Sequence, residues 1–340
     1  MSAAVYVQTN DAARNEVIAF NRSTDGALTP LGHYDTGGRG TGQPHLPSQN
    51  SLVLDEDGGW LLVANAGSDD LSLFAVETDG LRLADRVGSG GRAPTSVAIR
   101  GTLLYVLNNA SASIAGFTID GGRLVELDGS TRPLSADDAD PAQVALSPDG
   151  RTLAVTERGT DSISTFAIDD RGYATDPSTI KSAGQTPYGF DFTADGAMIV
   201  TEAFAGTIGA AAASSYGVTA AGKLTPVTAS VRDTRSEVCW AAVTNDSRFA
   251  YVTNFGDGSI SSYEIGDGGT LALREPVAAS AHLGAKGIRD EAISRDGRYL
   301  YAIDADAREV FGWSIEGDGS LTAIGAFDGL PETVAGLAAS

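Results

Sequence analysis

Glu157 and Glu202 each close an apolar run, Leu153-Ala154-Val155-Thr156-Glu157 and Met198-Ile199-Val200-Thr201-Glu202. Carboxylates in equivalent places of neighbouring repeats could lie close enough for like-charge repulsion to raise one pKa, which would make an acid–base pair. The structural alternative is equally open, because comparable runs end in Asn65, Asn108 and Asn254, where a side chain can hold a strand-end turn. Arg289 falls on a stretch expected to face a channel, where its planar fork of donors could grip a carboxylate or a developing oxyanion. Arg158, directly after Glu157, could do the same or sit on a surface hairpin. The candidate catalytic set is therefore Glu202, Glu157 and Arg289.

A second group has the character of a binding wall. His45, Gln49, Gln143, Tyr188 and Trp240 lie at or beside the starts of apolar strands and could offer amide hydrogen bonds, a base and aromatic faces to a small ligand. Tyr and Trp in such places also serve as plain core. The other histidines, His33 in an outer-strand context and His282 in a loop, stand at no metal-ligand spacing from each other or from His45. Cys239, the single cysteine, lies on an apolar strand with no adjacent His, the setting of an inert thiol. No metal or other cofactor is expected. The stretch Gly37-Gly38-Arg39-Gly40-Thr41-Gly42 has neither a following helix nor a Lys at phosphate-loop spacing and reads as an inter-repeat loop.

These residues are positioned by a repeat. One unit recurs seven times: a short apolar strand, an Asp-Gly-type turn, an apolar strand ending in a polar residue, then two more strands. The terminal polar residues are Asn10, Asn65, Asn108, Glu157, Glu202, Asn254 and Asp304, spaced 43 to 55 residues apart. Turns such as Pro148-Asp149-Gly150 and Arg295-Asp296-Gly297 carry hairpin chemistry. Four strands per unit predicts an all-β, seven-bladed β-propeller of four-stranded antiparallel blades spanning residues 1–340 as one unit. The first unit lacks its first strand, since Val5 already belongs to the second. An orphan strand stands at the other end, Thr333-Val334-Ala335-Gly336-Leu337-Ala338. The C-terminal strand is thus expected to close the first blade and remove two open edges.

Composition narrows the partners. Lys and Arg number 23 against 44 Asp and Glu, a net charge of −21, which disfavours a phosphate backbone or an anionic membrane as a binding surface. Lysine occurs only at 181, 223 and 286. One cysteine excludes an internal disulfide. The N-terminal run shows no signal-peptide pattern, and no stretch approaches a membrane span of about 18 apolar residues, so a cytoplasmic location is expected. The expected partner is a small molecule; the sequence leaves the oligomeric state open.

The segments Ala145-Leu146-Ser147-Pro148-Asp149-Gly150-Arg151 and Leu62-Val63-Ala64-Asn65-Ala66-Gly67 resemble the lactonase-type seven-bladed propeller family, which includes 6-phosphogluconolactonases and carboxy-cis,cis-muconate cyclases. The resemblance covers the whole chain and implies a site at a channel mouth built from Glu, Arg and His. Its Glu corresponds to Glu202 and an Arg to Arg289. A family Gly-Pro-Arg-His stretch falls on Thr186-Pro187-Tyr188-Gly189, and a further His on about Ala142, so half of that set is replaced. What the resemblance implies is a lactonase-like or cycloisomerase-like enzyme acting on a small carboxylated metabolite, with 6-phosphogluconolactone disfavoured. The alternative is a non-catalytic propeller that binds a ligand or a protein. A calcium-dependent version would need Glu157, Glu202, Asn254 and Asp304 to converge.

Overall fold

The computed structural model describes residues 3–44, 46–219 and 221–340. Its strands form seven antiparallel sheets of four strands, in chain order from the centre outwards except that the first sheet takes Ala335–Ala339 as its innermost strand, with the fourth strand of the third sheet split in two. From blade 1 to blade 7 the innermost strands are Ala335–Ala339, Leu52–Leu54, Pro94–Arg100, Pro141–Leu146, Pro187–Phe192, Val238–Val243 and Ile288–Ile293. The only helical segments among the described residues are three short 3₁₀ turns.

The sequence dictates this layering. Second strands such as Trp60–Asn65 and Thr152–Glu157 are covered on both faces and read as nearly continuous apolar runs. Outer strands such as Leu28–Asp35 and Gly80–Gly88 are largely half-buried or exposed, and polar residues interrupt them. The turns are built locally. In Ser147-Pro148-Asp149-Gly150, the Asp149 carboxylate accepts from Ser147 Oγ at 2.6 Å and Arg151 N at 3.0 Å, while Gly150 takes the left-handed φ of +71° that closes the turn.

The apolar core is distributed rather than central. Seven clusters of buried side chains each lie between two neighbouring blades, for example Leu62, Leu73, Val97 and Phe117 between blades 2 and 3. Tyrosines on the second strands clamp adjacent blades. Tyr105 donates to Gly172 O at 2.7 Å, Tyr251 to Gly319 O at 2.9 Å and Tyr301 to Gly26 O at 2.6 Å. Burying a phenol requires such an acceptor, so each clamp fixes the orientation of two blades.

The ring closes as the sequence implies. Ala335–Ala339 pairs antiparallel with Ala4–Gln8, with Val5 opposite Ala339 and Val7 opposite Leu337. The strand runs slightly later than the expected 333–338. Pairing continues into Ser340, whose Oγ accepts from Ala4 N at 2.7 Å.

Candidate active site

Every innermost strand except the short one of blade 2 carries a bulge near its start, after Ala335, Pro94, Pro141, Pro187, Val238 and Arg289. The residue entering the strand is left-handed in blades 3 to 6, at Ala93, Asp140, Thr186 and Glu237. Bulges re-aim side chains and recur beside functional sites. Here they crowd Asp140, Tyr188, Glu237, Cys239 and Arg289 around one end of the channel, called the upper mouth.

A cavity of about 470 Å³ opens there, lined by Asp140, Arg158, Tyr188, Glu237, Cys239 and Phe255 among others. The Arg158 guanidinium lies 4.9 Å from the Tyr188 ring centre, and its Nη2 is 2.7 Å from Asp140 Oδ1. Phe255 carries two cations, Arg289 at 5.1 Å and Lys286 at 5.6 Å from its ring centre. Lys286 Nζ donates to both Glu237 oxygens, at 3.1 and 2.9 Å. Tyr188 packs on Trp240 with ring centres 5.6 Å apart. Burial, with the neighbouring Cys239 adding to it, pushes the Tyr188 phenol well above its ordinary value, so it remains a proton donor at neutral pH. Burial likewise pushes the Cys239 thiol far up, which keeps it inert.

Arg289 is at this mouth but is itself 2% exposed. Its donors go to the carbonyls of Pro44 and Gly287, with Asp306 Oδ1 3.7 Å away, and burial draws its pKa below the ordinary value. It charges the cavity wall from behind. Arg158, with its side chain 13% exposed, is the guanidinium that reaches the cavity.

Glu157 and Glu202 are placed otherwise. Both are fully buried inside their own blades, each enclosed by donors. Glu157 accepts from Ser135 N and Oγ, from Thr160 Oγ1 at 2.9 Å and from Ser164 Oγ at 2.5 Å. Glu202 accepts from Gly184 N at 2.7 Å and from Ser214 and Ser230 Oγ, each at 2.6 Å. Neither lines either channel cavity. They do the work of Asn65 and Asn254, which bond to Ser72 and Ser261 at the same place in their blades. Asp304, the fourth member of the calcium constellation, receives Ala307 N at 3.0 Å within blade 7. No group of three side chains able to hold a metal ion exists among the described residues.

The proposed binding residues divide. Tyr188 lines the upper cavity, and Trp240 stands fully buried behind it, donating Nε1–H to Ser48 O at 3.1 Å across the channel. Gln49 and Gln143 commit their amides to backbone. Gln143 exchanges two hydrogen bonds with Phe190, and Gln49 exchanges two with Ala241. His45 lies outside the described residues. His282 is half-exposed, stacked edge-on against Phe311 at 5.3 Å and 3.5 Å from Glu309.

The struts from Gln49 and Trp240 cross the middle of the channel. Below them the inner strands end around a second basin of about 340 Å³, which Gln49, Gln143, Asp191 and Glu291 help to line. Sequence reasoning missed Asp191, Asp290, Glu291, Glu237 and Phe255. A readable signal existed for three of them: carboxylates inside innermost strands, in Ile288-Arg289-Asp290-Glu291-Ala292-Ile293 and Pro187-Tyr188-Gly189-Phe190-Asp191-Phe192.

A closed seven-bladed ring with a charged, aromatic-walled cavity at one mouth is the architecture of a seven-bladed propeller. The chain belongs to the family described as lactonase, 7-bladed beta-propeller, whose model matches residues 4–131, 124–203 and 200–331. An uncharacterized protein of Staphylococcus aureus is 28% identical over 179 residues, covering 51% of this chain and 52% of that one. The chain spans about half the length of the curated relatives it matches. Among solved structures, a Lactobacillus plantarum protein superposes with a TM-score of 0.79 at 16% identity, covering 100% of both chains. The periplasmic gluconolactonase of Pseudomonas aeruginosa superposes with a TM-score of 0.74 at 17% identity, covering 100% of this chain and 99% of that one. At these identities the likeness is one of fold.

Proposed function

We infer that the protein is a lactone hydrolase whose upper mouth takes a small carboxylated lactone. The observation that carries this reading is the gathering of Arg158, Glu237 and the Tyr188 phenol around one aromatic-walled cavity, with Arg289 and Lys286 behind it. Glu237 takes a proton from water as the water oxygen bonds to the lactone carbonyl carbon. Arg158 and the Tyr188 hydroxyl supply donors to the oxyanion. The ring C–O bond then breaks, the proton passes to the departing alkoxide, and a hydroxy acid leaves. Run backwards, the same groups close a hydroxy acid to its lactone with loss of water; the cycloisomerase-like variant instead adds a carboxylate oxygen across a carbon–carbon double bond and needs an acid to protonate the neighbouring carbon.

Charge favours a monoanion over a phosphorylated sugar. Arg158, Lys286 and Arg289 face Asp140, Glu237 and Asp306, which leaves little net positive charge for a dianion. The ligand-binding alternative draws its support from Tyr188 and Gly189, which stand where the related family carries Arg and His.

Acid release from a panel of five- and six-membered lactones tests the reading. Glu237→Gln is expected to lower kcat by about a hundredfold or more, and Arg158→Gln to raise KM. Full activity in both variants overturns the assignment. If no lactone turns over while a small carboxylate raises Tm, the mouth is a binding site.

A further inference from the structure

Glu291 has no hydrogen-bond partner on either carboxylate oxygen, and it is 6% exposed. A carboxylate so placed is costly unless something compensates it. Its surroundings do the reverse. Asp191 from blade 5 and Asp290 on its own strand both act to raise its pKa, after burial itself, and no Lys, Arg or His lines the lower basin.

Leu52, Leu54, Val243, Ile293 and Leu337 give the basin an apolar side. Several of the other oxygen-bearing side chains are already engaged. Asp191 receives Val243 N at 2.9 Å and Phe192 N at 2.8 Å, Asp290 receives Gly336 N at 2.8 Å, and the Gln49 and Gln143 amides are paired with strands. A bare divalent ion, which wants six or more oxygens, finds one free carboxylate. A cation with three donors on a short hydrocarbon chain finds a complete environment. The basin adjoins a wider opening of about 680 Å³ that includes Asp55, Glu56 and Arg295, with Glu56 paired to Arg100.

We propose that the lower basin is a binding site for a small primary alkylammonium ion, its nitrogen against Glu291 and its chain along the apolar wall. The site is separated from the upper mouth by the Gln49 and Trp240 struts and does not depend on what the mouth does. In the empty basin burial keeps Glu291 protonated well above the ordinary carboxylate range, with Asp191 and Asp290 reinforcing the effect. The ammonium ion replaces that proton, so binding releases it and strengthens as pH rises. The facing titratable groups are Asp191 and Asp290, and the Tyr251 phenol also feels the Glu291 charge.

The test is calorimetric titration of the full chain with n-butylammonium chloride near pH 8, in two buffers of different ionisation enthalpy. Sodium chloride, calcium chloride and n-butanol are the controls. Saturable binding with net proton release is expected, weakened at least about tenfold in Glu291→Gln. That neutral isostere should retain or raise Tm. Asp191→Asn, a second variant, should weaken binding less. Butylammonium binding no better than sodium, or equal binding by Glu291→Gln, overturns the proposal. Calcium binding that depends on Glu291 and excludes butylammonium overturns it in favour of a metal site.

Discussion

The side chain of Gln49 reaches across the channel from blade 2 and pairs with the backbone of Ala241 in blade 6. Its Nε2 donates to Ala241 O at 2.8 Å, and Ala241 N donates to its Oε1 at 3.1 Å. The blades are not neighbours in the ring, so this strut ties opposite walls together and divides the channel. Gly189 leaves the space for it: a Cβ there would stand 2.2 Å from Gln49 Oε1 and 2.5 Å from Cys239 O. Family resemblance sets a His at this position. A side chain at this position would displace the strut.

Gln49→Ala should therefore destabilise the ring by roughly 2 kcal/mol, because it strands a buried donor and a buried acceptor. Denaturant melts would register the change as a lower midpoint with an unchanged slope. Gly189→Ala should act in the same direction through collision. Unchanged melting in both would mean that the strut carries no load.

Closure of the ring leads to a sharper outcome. Removing residues 335–340 strips the innermost strand from blade 1 and exposes the inner edge of Ala4–Gln8. The truncated chain should aggregate or lose its cooperative melt. A soluble product with the full-length Tm would contradict the closure role.

Much of the fold was legible because the repeat is written in local chemistry: Ser-Pro-Asp-Gly turns, doubly covered apolar strands and a spare strand at one end. The site was less legible, because strand-end polarity serves structure and catalysis alike. Glu157 has Ser164 seven residues on, as Asn65 has Ser72 and Asn254 has Ser261, and that hydroxyl fastens each of them inside its blade. The carboxylates that do face the channel, Asp191 and Glu291, sit within innermost strands. The bulges that aim their neighbourhood cannot be read from alternation, since one extra residue shifts the face of everything after it.

The cage around Glu202 separates the two kinds of carboxylate experimentally. Glu202→Gln keeps the shape but places an amide among donors, and Gly184 N–H cannot turn into an acceptor. A loss of about 1–2 kcal/mol in stability is expected. kcat/KM should change far less than in Glu237→Gln. Catalytic loss at Glu202 with unaltered Tm would return the acid–base role to it.

The buried channel acids also set a pH signature. Burial pushes Asp191 up to about 6 and Asp290 up to about 7, with Glu291 well above its ordinary value. Between the unfolded carboxylate value and these folded values, the native chain holds more protons than the unfolded one. Their contribution to stability is therefore complete at acid pH and is lost as pH rises through the folded pKa values. Turn carboxylates such as Asp149 and Asp246 work oppositely, being lowered by turn hydrogen bonds, but lose their contribution only as pH falls below the ordinary carboxylate range. Tm should accordingly rise as pH is lowered from about 8 to about 5 and fall only in stronger acid. Asp290→Asn and Glu291→Gln, combined, should flatten the slope between about pH 5 and about pH 8 while leaving the acid limb intact. A wild-type Tm that fell steadily over that interval would show the channel acids ionised in the folded ring. It would also remove the proton that the lower basin is proposed to exchange.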